Sequence, residues 1–188
     1  VVGEVLHAFR TAPNQPYNPA TDDLGTLDVG IFDWSEAHGI TDSGQVVGVS
    51  GGHAFRTGPN QPINPATDDL GPALYVYGIN NSGQVVGSNF SHDQGGWGEP
   101  PDPRLFAWVY SGNGPMQYLN ELIDPASGWV LHEPRDINDL GQIVGWGLHN
   151  GNERAFLLTP IPEPASLVML GGCLVGLSLL RRRRCCAA

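Results

Sequence analysis

One serine of this 188-residue chain stands in a spacing that some hydrolases use for their nucleophile. Ser50 lies in the run Gly-Val-Ser-Gly-Gly at residues 48–52, which matches the Gly-x-Ser-x-Gly pattern of a nucleophile elbow. That chemistry requires a strained turn from a strand into a helix, whereas short β-branched stretches surround this serine. We therefore expect Ser50 to lie in a hairpin between two short strands, with no catalytic role.

Two histidines recur at equivalent places, because His7 and His53 each begin a His-Ala-Phe triplet. The first and third residues of such a triplet share one face of a strand, so we expect each histidine to be buried beside its phenylalanine as a structural residue. A metal ligand and a catalytic base are the alternatives. The chain contains no His-Glu-x-x-His motif and no close histidine pair, so the pattern predicts no metal site at these residues.

Adjacent carboxylates occur twice, at Asp22-Asp23 and Asp68-Asp69. Neighbouring residues of a strand point to opposite faces, so such a pair cannot flank one glycosidic bond as two catalytic carboxylates would. We expect these residues to cap turns or to pair with Arg10 and Arg56. Calcium binding by these residues or by the Asn-Asp turns stays open, although the twelve-residue calcium loop with its terminal Glu is absent. No cofactor is predicted.

The segment between Phe90 and Arg104 interrupts the regular pattern of the chain and contains Trp97 among glycines and prolines. Inserted loops often carry binding residues, so Trp97 is a candidate for stacking on a sugar ring. The alternative is that Trp97 packs over its own loop.

Internal similarity shows which elements must position these residues. Residues 7–25 and 53–71 are identical at all but two positions, and a second motif, Ile-x-x-x-Gly-Gln-β-branched-Val-Gly, occurs at residues 40–48, 79–87 and 137–145. The first half of that motif predicts a tight turn with its glycine at positive φ, and the second half predicts a short strand. The stretches 53–57, 24–27 and 36–41 are expected to supply three further strands in each unit.

The unit therefore predicts an all-β array of short antiparallel strands. Four strands in about 46 residues correspond to a propeller blade, and a stacked β-solenoid is the alternative. Glycine and proline make up about 22% of the chain against a usual 12% or so, which also argues against a helical bundle. Because the opening residues Val1-Val2-Gly3 resemble the end of another copy, we expect the chain to begin partway through a unit.

Charge and cysteine are distributed unevenly. All three cysteines lie within residues 173–188, and the chain contains no lysine. These facts argue against a disulfide framework, a zinc knuckle or a thiol nucleophile in the body, and against a Walker phosphate loop or a Schiff-base enzyme anywhere in the chain. Residues 1–162 are strongly acidic, so no nucleic-acid partner is expected.

The C-terminus combines three features in a fixed order. The triplet Pro162-Glu163-Pro164 precedes an uncharged apolar stretch over 165–180, which ends at the four arginines Arg181, Arg182, Arg183 and Arg184. Sixteen helical residues span about 24 Å, somewhat less than a bilayer core of about 30 Å, and the arginine cluster is expected to stay cytoplasmic. We predict one C-terminal transmembrane helix here. A buried core helix is the alternative.

This tail resembles the PEP-CTERM sorting signal in all three features. The resemblance implies recognition by an exosortase, membrane anchoring before processing, removal of the tail, and delivery to the cell surface or to an exopolysaccharide matrix. The body resembles the HAF family of extracellular repeats, through His7-Ala8-Phe9, residues 53–55 and the companion runs 24–27, 35–40 and 43–48. That resemblance implies an exported β-repeat protein and no reaction. Leu105-Phe106-Ala107 and Arg154-Ala155-Phe156 are read as degenerate copies.

The sequence thus predicts a β-repeat body over residues 1–159 and a sorting and anchoring segment over 160–188. The predicted function is that of a noncatalytic surface or matrix protein, with extracellular polysaccharide as its candidate ligand. The alternative is a fragment of a polysaccharide-active enzyme whose catalytic part lies upstream.

Overall fold

The computed structural model describes residues 6–28, 33–90 and 105–161. This part of the chain is all-β, with two single 3₁₀ turns at Leu119–Glu121 and Pro125–Ser127. The eleven strands, in chain order, are β1 Ser35–Ile40, β2 Val46–Ser50, β3 His53–Arg56, β4 Asp69–Pro72, β5 Tyr75–Ile79, β6 Val85–Phe90, β7 Leu105–Tyr110, β8 Gln117–Tyr118, β9 Trp129–Ile137, β10 Ile143–His149 and β11 Asn152–Leu158.

The strands form three antiparallel sheets that follow one another along the chain. The first contains β1 to β4, the second β5 to β8, and the third β9 to β11, each in sequential order. Every connection within a sheet therefore joins direct neighbours, as in a meander. Over the described ranges the sheets do not close into a barrel.

The repeated turn motif connects the first two strands of every sheet. Its glycines, Gly44, Gly83 and Gly141, have φ values of 80°, 77° and 73°, which an L side chain adopts only with strain. In the second copy the Asn80 carboxamide oxygen accepts from the backbone N–H groups of Ser82 and Gln84, so the side chain starts the turn as expected.

A glycine lies at the centre of each sheet and contacts an aromatic ring on the next strand. The cross-strand partners are Gly48 and Phe55, Gly87 and Trp108, and Gly145 and Phe156. A Cβ added to any of these glycines would meet both the ring and a backbone carbonyl oxygen of the preceding strand. The register of that strand shifts beside each glycine, which brings the carbonyl close. Only glycine fits these three positions.

The sheets pack face to face through apolar side chains. One face of the first sheet, with Val47 and Ala54, is covered by Val85 and Trp108 of the second sheet. The equivalent face of the second sheet, with Val86 and Ala107, is covered in turn by the third sheet. The N-terminal segment, residues 6–28, packs in the same way on the remaining face of the first sheet.

Several expectations are met and two are wrong. The strands predicted over residues 45–48, 53–57 and 36–41 correspond to β2, β3 and β1. Residues 24–27 form no strand, because Leu24 makes single backbone bonds to Ala8 and Ile63 in place of a continuous ladder. The degenerate copy is also displaced by one residue: Phe106-Ala107-Trp108, and not residues 105–107, occupies the His-Ala-Phe positions.

The predicted helix over residues 165–180 lies outside the described residues. Among the residues that are described, no helix is both long and apolar enough to span a bilayer.

We predict that Gly87→Ala destabilises the body, because its methyl group would overlap the Trp108 ring and the Tyr75 carbonyl oxygen. Overpacking of this kind lowers the free energy of unfolding by about 1–3 kcal/mol. Urea unfolding of the full chain in mild detergent measures the difference. Gly58→Ala is the matched control: the first copy has Ala12 at this position, and a Cβ there would lie 3.4 Å from Gln61. Equal unfolding midpoints for the two variants would contradict the prediction.

Candidate functional site

The first aspartate of each Asp-Asp pair caps a turn, as expected. The Asp22 carboxylate accepts from the Asn18 backbone N–H at 2.7 Å and from the Thr21 hydroxyl at 3.0 Å. Asp68 makes the same two bonds, to Asn64 and Thr67. Both carboxylates are buried and serve the local backbone.

The second aspartate of each pair lies against a histidine. His7 Nδ1 is 2.9 Å from the Asp23 carboxylate, and His53 Nδ1 is 3.0 Å from Asp69. Each of these aspartates also accepts from a backbone N–H two residues later, at Gly25 and Gly71. Of the two expected roles, these carboxylates therefore fill that of turn caps, and histidines take the place of the alternative partners Arg10 and Arg56.

The arginines instead connect one unit to the next. Arg10 donates to the Gly44 carbonyl at 3.1 Å, and Arg56 donates to the equivalent Gly83 carbonyl at 2.7 Å. Each guanidinium thus binds a carbonyl within a turn of the following sheet. This contact stabilises the relative position of neighbouring units.

Equivalent residues of the three turns also bond to one another. The Asn81 carboxamide nitrogen donates to Asp42 at 2.8 Å and to Asp139 at 3.0 Å. The Asn81 backbone N–H donates to the same Asp139 carboxylate, and these bonds hold the pKa of Asp139 below its ordinary value. One amide thereby joins two carboxylates that would otherwise repel each other.

The contact between His7 and Asp23 shifts the pKa values of both side chains, upwards for His7 and downwards for Asp23. The hydrogen bond that the His7 ring donates to the Asp23 carboxylate is the largest cause of the raised pKa of His7, and it outweighs the opposing effect of burial. Asp33 adds to it, with its carboxylate 3.5 Å from His7 Nε2. Burial raises the pKa of Asp23, but the bonds from Gly25 and His7 together bring the pKa of Asp23 below its ordinary value.

The burial expected of the histidines is only partly observed. Phe55 is fully buried, but the His53 side chain remains about a third exposed beside Asp69. His7 shares this partial exposure, and its neighbour Phe9 is exposed. A hydrogen bond to the neighbouring aspartate holds each histidine ring, and each ring remains partly exposed.

Ser50 is buried at the end of β2, as the hairpin interpretation predicts. Its hydroxyl donates to the Trp34 carbonyl at 3.0 Å and accepts from the Leu27 backbone N–H at 3.0 Å. The oxygen therefore connects the N-terminal segment to the first sheet. The strained strand-to-helix turn of a nucleophile elbow is not present at this position.

Exposed Tyr75 and half-buried Tyr77 form an aromatic pair on β5 that is not among the candidate residues of the sequence. The rings of Tyr75 and Tyr77 stack with centroids 6.1 Å apart, and the Arg135 guanidinium lies 5.4 Å from the Tyr77 ring centroid. Burial is the main cause of the raised pKa of the Tyr77 hydroxyl. The Tyr-x-Tyr spacing is the available signal, since alternate residues of a strand share a face.

A groove of about 320 Å³ separates β4 from the outer edge of the second sheet. Leu70, Trp108, Met116 and Tyr118 contribute to its apolar lining, and Asn89 is among its few polar side chains. Trp108 and Leu70 also belong to the core between the first two sheets, so the groove is continuous with that core.

The candidate ligand-contact residue and the residues of the candidate sorting signal lie outside the described residues. These are Trp97, the triplet Pro162, Glu163 and Pro164, and the arginines Arg181, Arg182, Arg183 and Arg184. Within the ranges that are described, no group of three or more His, Cys, Asp or Glu side chains is arranged to hold a metal ion. The described residues therefore provide no candidate set of calcium ligands.

The C-terminal segment matches a known family model. Residues 160–184 match the PEP-CTERM protein-sorting motif. This stretch is a PEP-CTERM sorting motif. It implies export, membrane anchoring before cleavage, and processing by an exosortase. Searches of curated proteins and of solved structures returned no match.

We predict that Asp23→Asn lowers the pKa of His7 towards its ordinary value of 6.5. In the native chain His7 binds its proton more tightly when folded, so its contribution to stability is full below pH 6.5 and is lost as the pH rises through the raised pKa. Asp23 has a lowered pKa, so its contribution is full above pH 3.8 and is lost as the pH falls through that lower value.

An NMR titration of the His7 ring in both proteins measures the shift. Glu121→Gln is the control, because Glu121 is an exposed carboxylate that makes no contact with His7 among the described residues. A His7 pKa that is unchanged by Asp23→Asn would show that the hydrogen bond does not control this titration.

Proposed function

We propose that this chain is an exported cell-surface or extracellular-matrix protein whose β-repeat body is a noncatalytic binding or structural module. The observation that carries the proposal is the sorting motif at residues 160–184. In this proposal an exosortase recognises the motif, removes the tail, and passes the body to the surface or the matrix.

The chemistry of the tail supports a transient membrane anchor. Residues 165–180 carry no charge, and Arg181–Arg184 follow directly. A helix of this composition prefers lipid to water, and the arginines resist transfer across the bilayer. The proposed division of the chain is a body over 1–159 and this sorting segment over 160–188.

The body is proposed to consist of HAF-type repeats arranged as blades of a partial propeller. The sequential sheets, the equivalent turn motifs and the face-to-face packing support blades over a β-solenoid, in which strands of successive coils would pair in parallel. The hydroxyl of Ser50 and the Asp22 and Asp68 carboxylates bond to the protein backbone, which supports a noncatalytic role.

Extracellular polysaccharide is the proposed ligand class. The exposed Tyr75 ring offers an apolar face with a polar hydroxyl at its rim, as sugar rings require, and Tyr77 stacks on it with Arg135 and Glu133 nearby. The excess of acidic residues over residues 1–162 opposes binding to nucleic acid and to anionic lipid.

We predict that Glu163→Ala blocks processing of the full chain in a host that contains an exosortase. The variant should accumulate uncut in the membrane fraction, whereas the native chain should lose its tail, because the substitution removes the charge of the Pro-Glu-Pro triplet. Mass spectrometry of the C-terminus identifies both forms. Glu153→Ala is the control, since Glu153 is an exposed residue of β11 and lies outside the matched motif. Normal processing of Glu163→Ala would overturn the role of the triplet.

We predict that Tyr75→Ala weakens binding of the native body to extracellular polysaccharide about fivefold or more, which corresponds to roughly 1 kcal/mol. The measurement is a binding titration with neutral and acidic polysaccharides selected on an array. Tyr118→Ala is the matched control, because Tyr118 is a similarly exposed tyrosine on the opposite edge strand of the same sheet. An equal loss in both variants, or no binding to any polysaccharide on the array, would contradict the proposed ligand class.

A further inference from the structure

The first strand of each sheet carries an extra residue at the same place. The register of β1, β5 and β9 shifts beside the central glycine of the second strand, so that one residue of each first strand has no partner on the second strand there. These residues are His38, Tyr77 and Arg135. A β-bulge of this kind redirects a side chain and is frequent beside binding sites. The three sheets therefore present three different side chains from one equivalent position.

Each of these residues contacts the side chain two positions before it. In the first and third sheets the contact joins a nitrogen of a basic side chain to a glutamate carboxylate, and in the second sheet two tyrosine rings stack. Much of this surface is open to water, since the Glu36 and Arg135 side chains are 64% and 58% exposed and Tyr75 is 46% exposed. We call these residues the bulge row, which consists of Glu36, His38, Tyr75, Tyr77, Glu133 and Arg135.

The bulge row continues from one sheet to the next, because the first strands of neighbouring sheets lie side by side. A Cβ added at Gly39 of β1 would lie 3.2 Å from the Ile79 side chain of β5, and a Cβ added at Gly78 of β5 would lie 3.0 Å from the Asp136 carboxylate of β9. The guanidinium of the third sheet also lies 5.4 Å from the centroid of a tyrosine ring of the second. The row therefore crosses all three sheets.

We propose that the bulge row binds one extended, uncharged polysaccharide chain across the three sheets. This inference rests on the proposed function and specifies the length and the charge of its ligand. Packed sheets lie about 10 Å apart, so the row extends over roughly 20 Å and a single sugar cannot cover it. The tyrosines at its centre provide a ring face for stacking, and the polar pairs on both sides provide donors and acceptors for sugar hydroxyls.

The charge of the bulge row selects against acidic sugars. The carboxylates of Glu36 and Glu133 stand against one guanidinium, and Asp136 adds a third carboxylate where the other two sheets have glycine. A protonated His38 would add one positive charge, so this surface never becomes positive. The carboxylate of an acidic sugar would therefore meet like charge, whereas uncharged hydroxyls can donate to the carboxylates and accept from the guanidinium.

The length of the ligand is tested by NMR titration of the full chain, in a mild detergent without a sugar head group, with a dimer and a hexamer of glucose. His38→Ala and Arg135→Ala, at the two ends of the row, should each weaken hexamer binding about threefold or more and dimer binding much less. Tyr75→Ala should weaken both. Arg154→Ala is the matched control, because Arg154 is an exposed arginine of β11 outside the row. Equal unfolding midpoints show that each variant is folded.

Two outcomes would overturn the extended site. One is an equal loss of dimer and hexamer binding in His38→Ala and Arg135→Ala, and the other is no loss of hexamer binding in either variant.

The charge of the ligand is tested with a galacturonate hexamer. The native chain should bind it at least about tenfold more weakly than the glucose hexamer. Glu133→Gln should tighten galacturonate binding about fivefold, because it removes a carboxylate and leaves the Arg135 guanidinium without this partner. Glu153→Gln, which removes the same charge from β11 outside the row, should not.

The results also separate this inference from the proposed function. Native binding of galacturonate as tight as that of glucose, or no gain in Glu133→Gln, would overturn the inference and leave polysaccharide binding in place. No binding of either hexamer would overturn the polysaccharide proposal together with the inference.

Discussion

The close approach of a glycine, a backbone carbonyl and an aromatic ring is the constraint on which the rest of the body depends. At Gly48, Gly87 and Gly145 the absent side chain lets the preceding strand bulge inwards, while the ring from the following strand covers the vacant space. Each sheet thereby brings its strands close together at its centre, and its aromatic side chain packs in the core beside the neighbouring unit. A larger residue at any of these positions would separate strands that the core needs close together.

The polar contacts between units depend on this arrangement. They align neighbouring units and contribute less to the free energy of folding than the apolar contacts do. Arg10 and Arg56 bind turn carbonyls of the following unit, and Asn81 links the turns of all three sheets through Asp42 and Asp139. These groups lie at the ends of the strands, where water screens their charges and weakens each contact. Their main effect is therefore to align neighbouring units. The apolar junctions supply most of the stabilisation, because they remove whole side chains from water.

The body and the C-terminal tail differ in composition and in the environment that suits them. The body is acidic, lacks cysteine and folds by strand pairing, whereas the tail is apolar with a basic end. The sorting motif implies that the tail acts at the membrane before cleavage. The polar caps made by Asp22 and Asp68, and the buried hydroxyl of Ser50, belong to the body and are independent of that step.

The local elements were determined by the sequence alone. The turn motif, the strands β1 to β3 and the sorting signal could be predicted, because turn glycines, β-branched runs and the sequence pattern of the tail each extend over a short stretch of the chain. Which residues meet across strands was decided only by tertiary structure. The pairing of His7 with Asp23, the one-residue displacement at Trp108 and the loss of a strand at residues 24–27 all depend on register and on what covers each sheet. Register is a property of two strands together, and neither strand encodes it by itself.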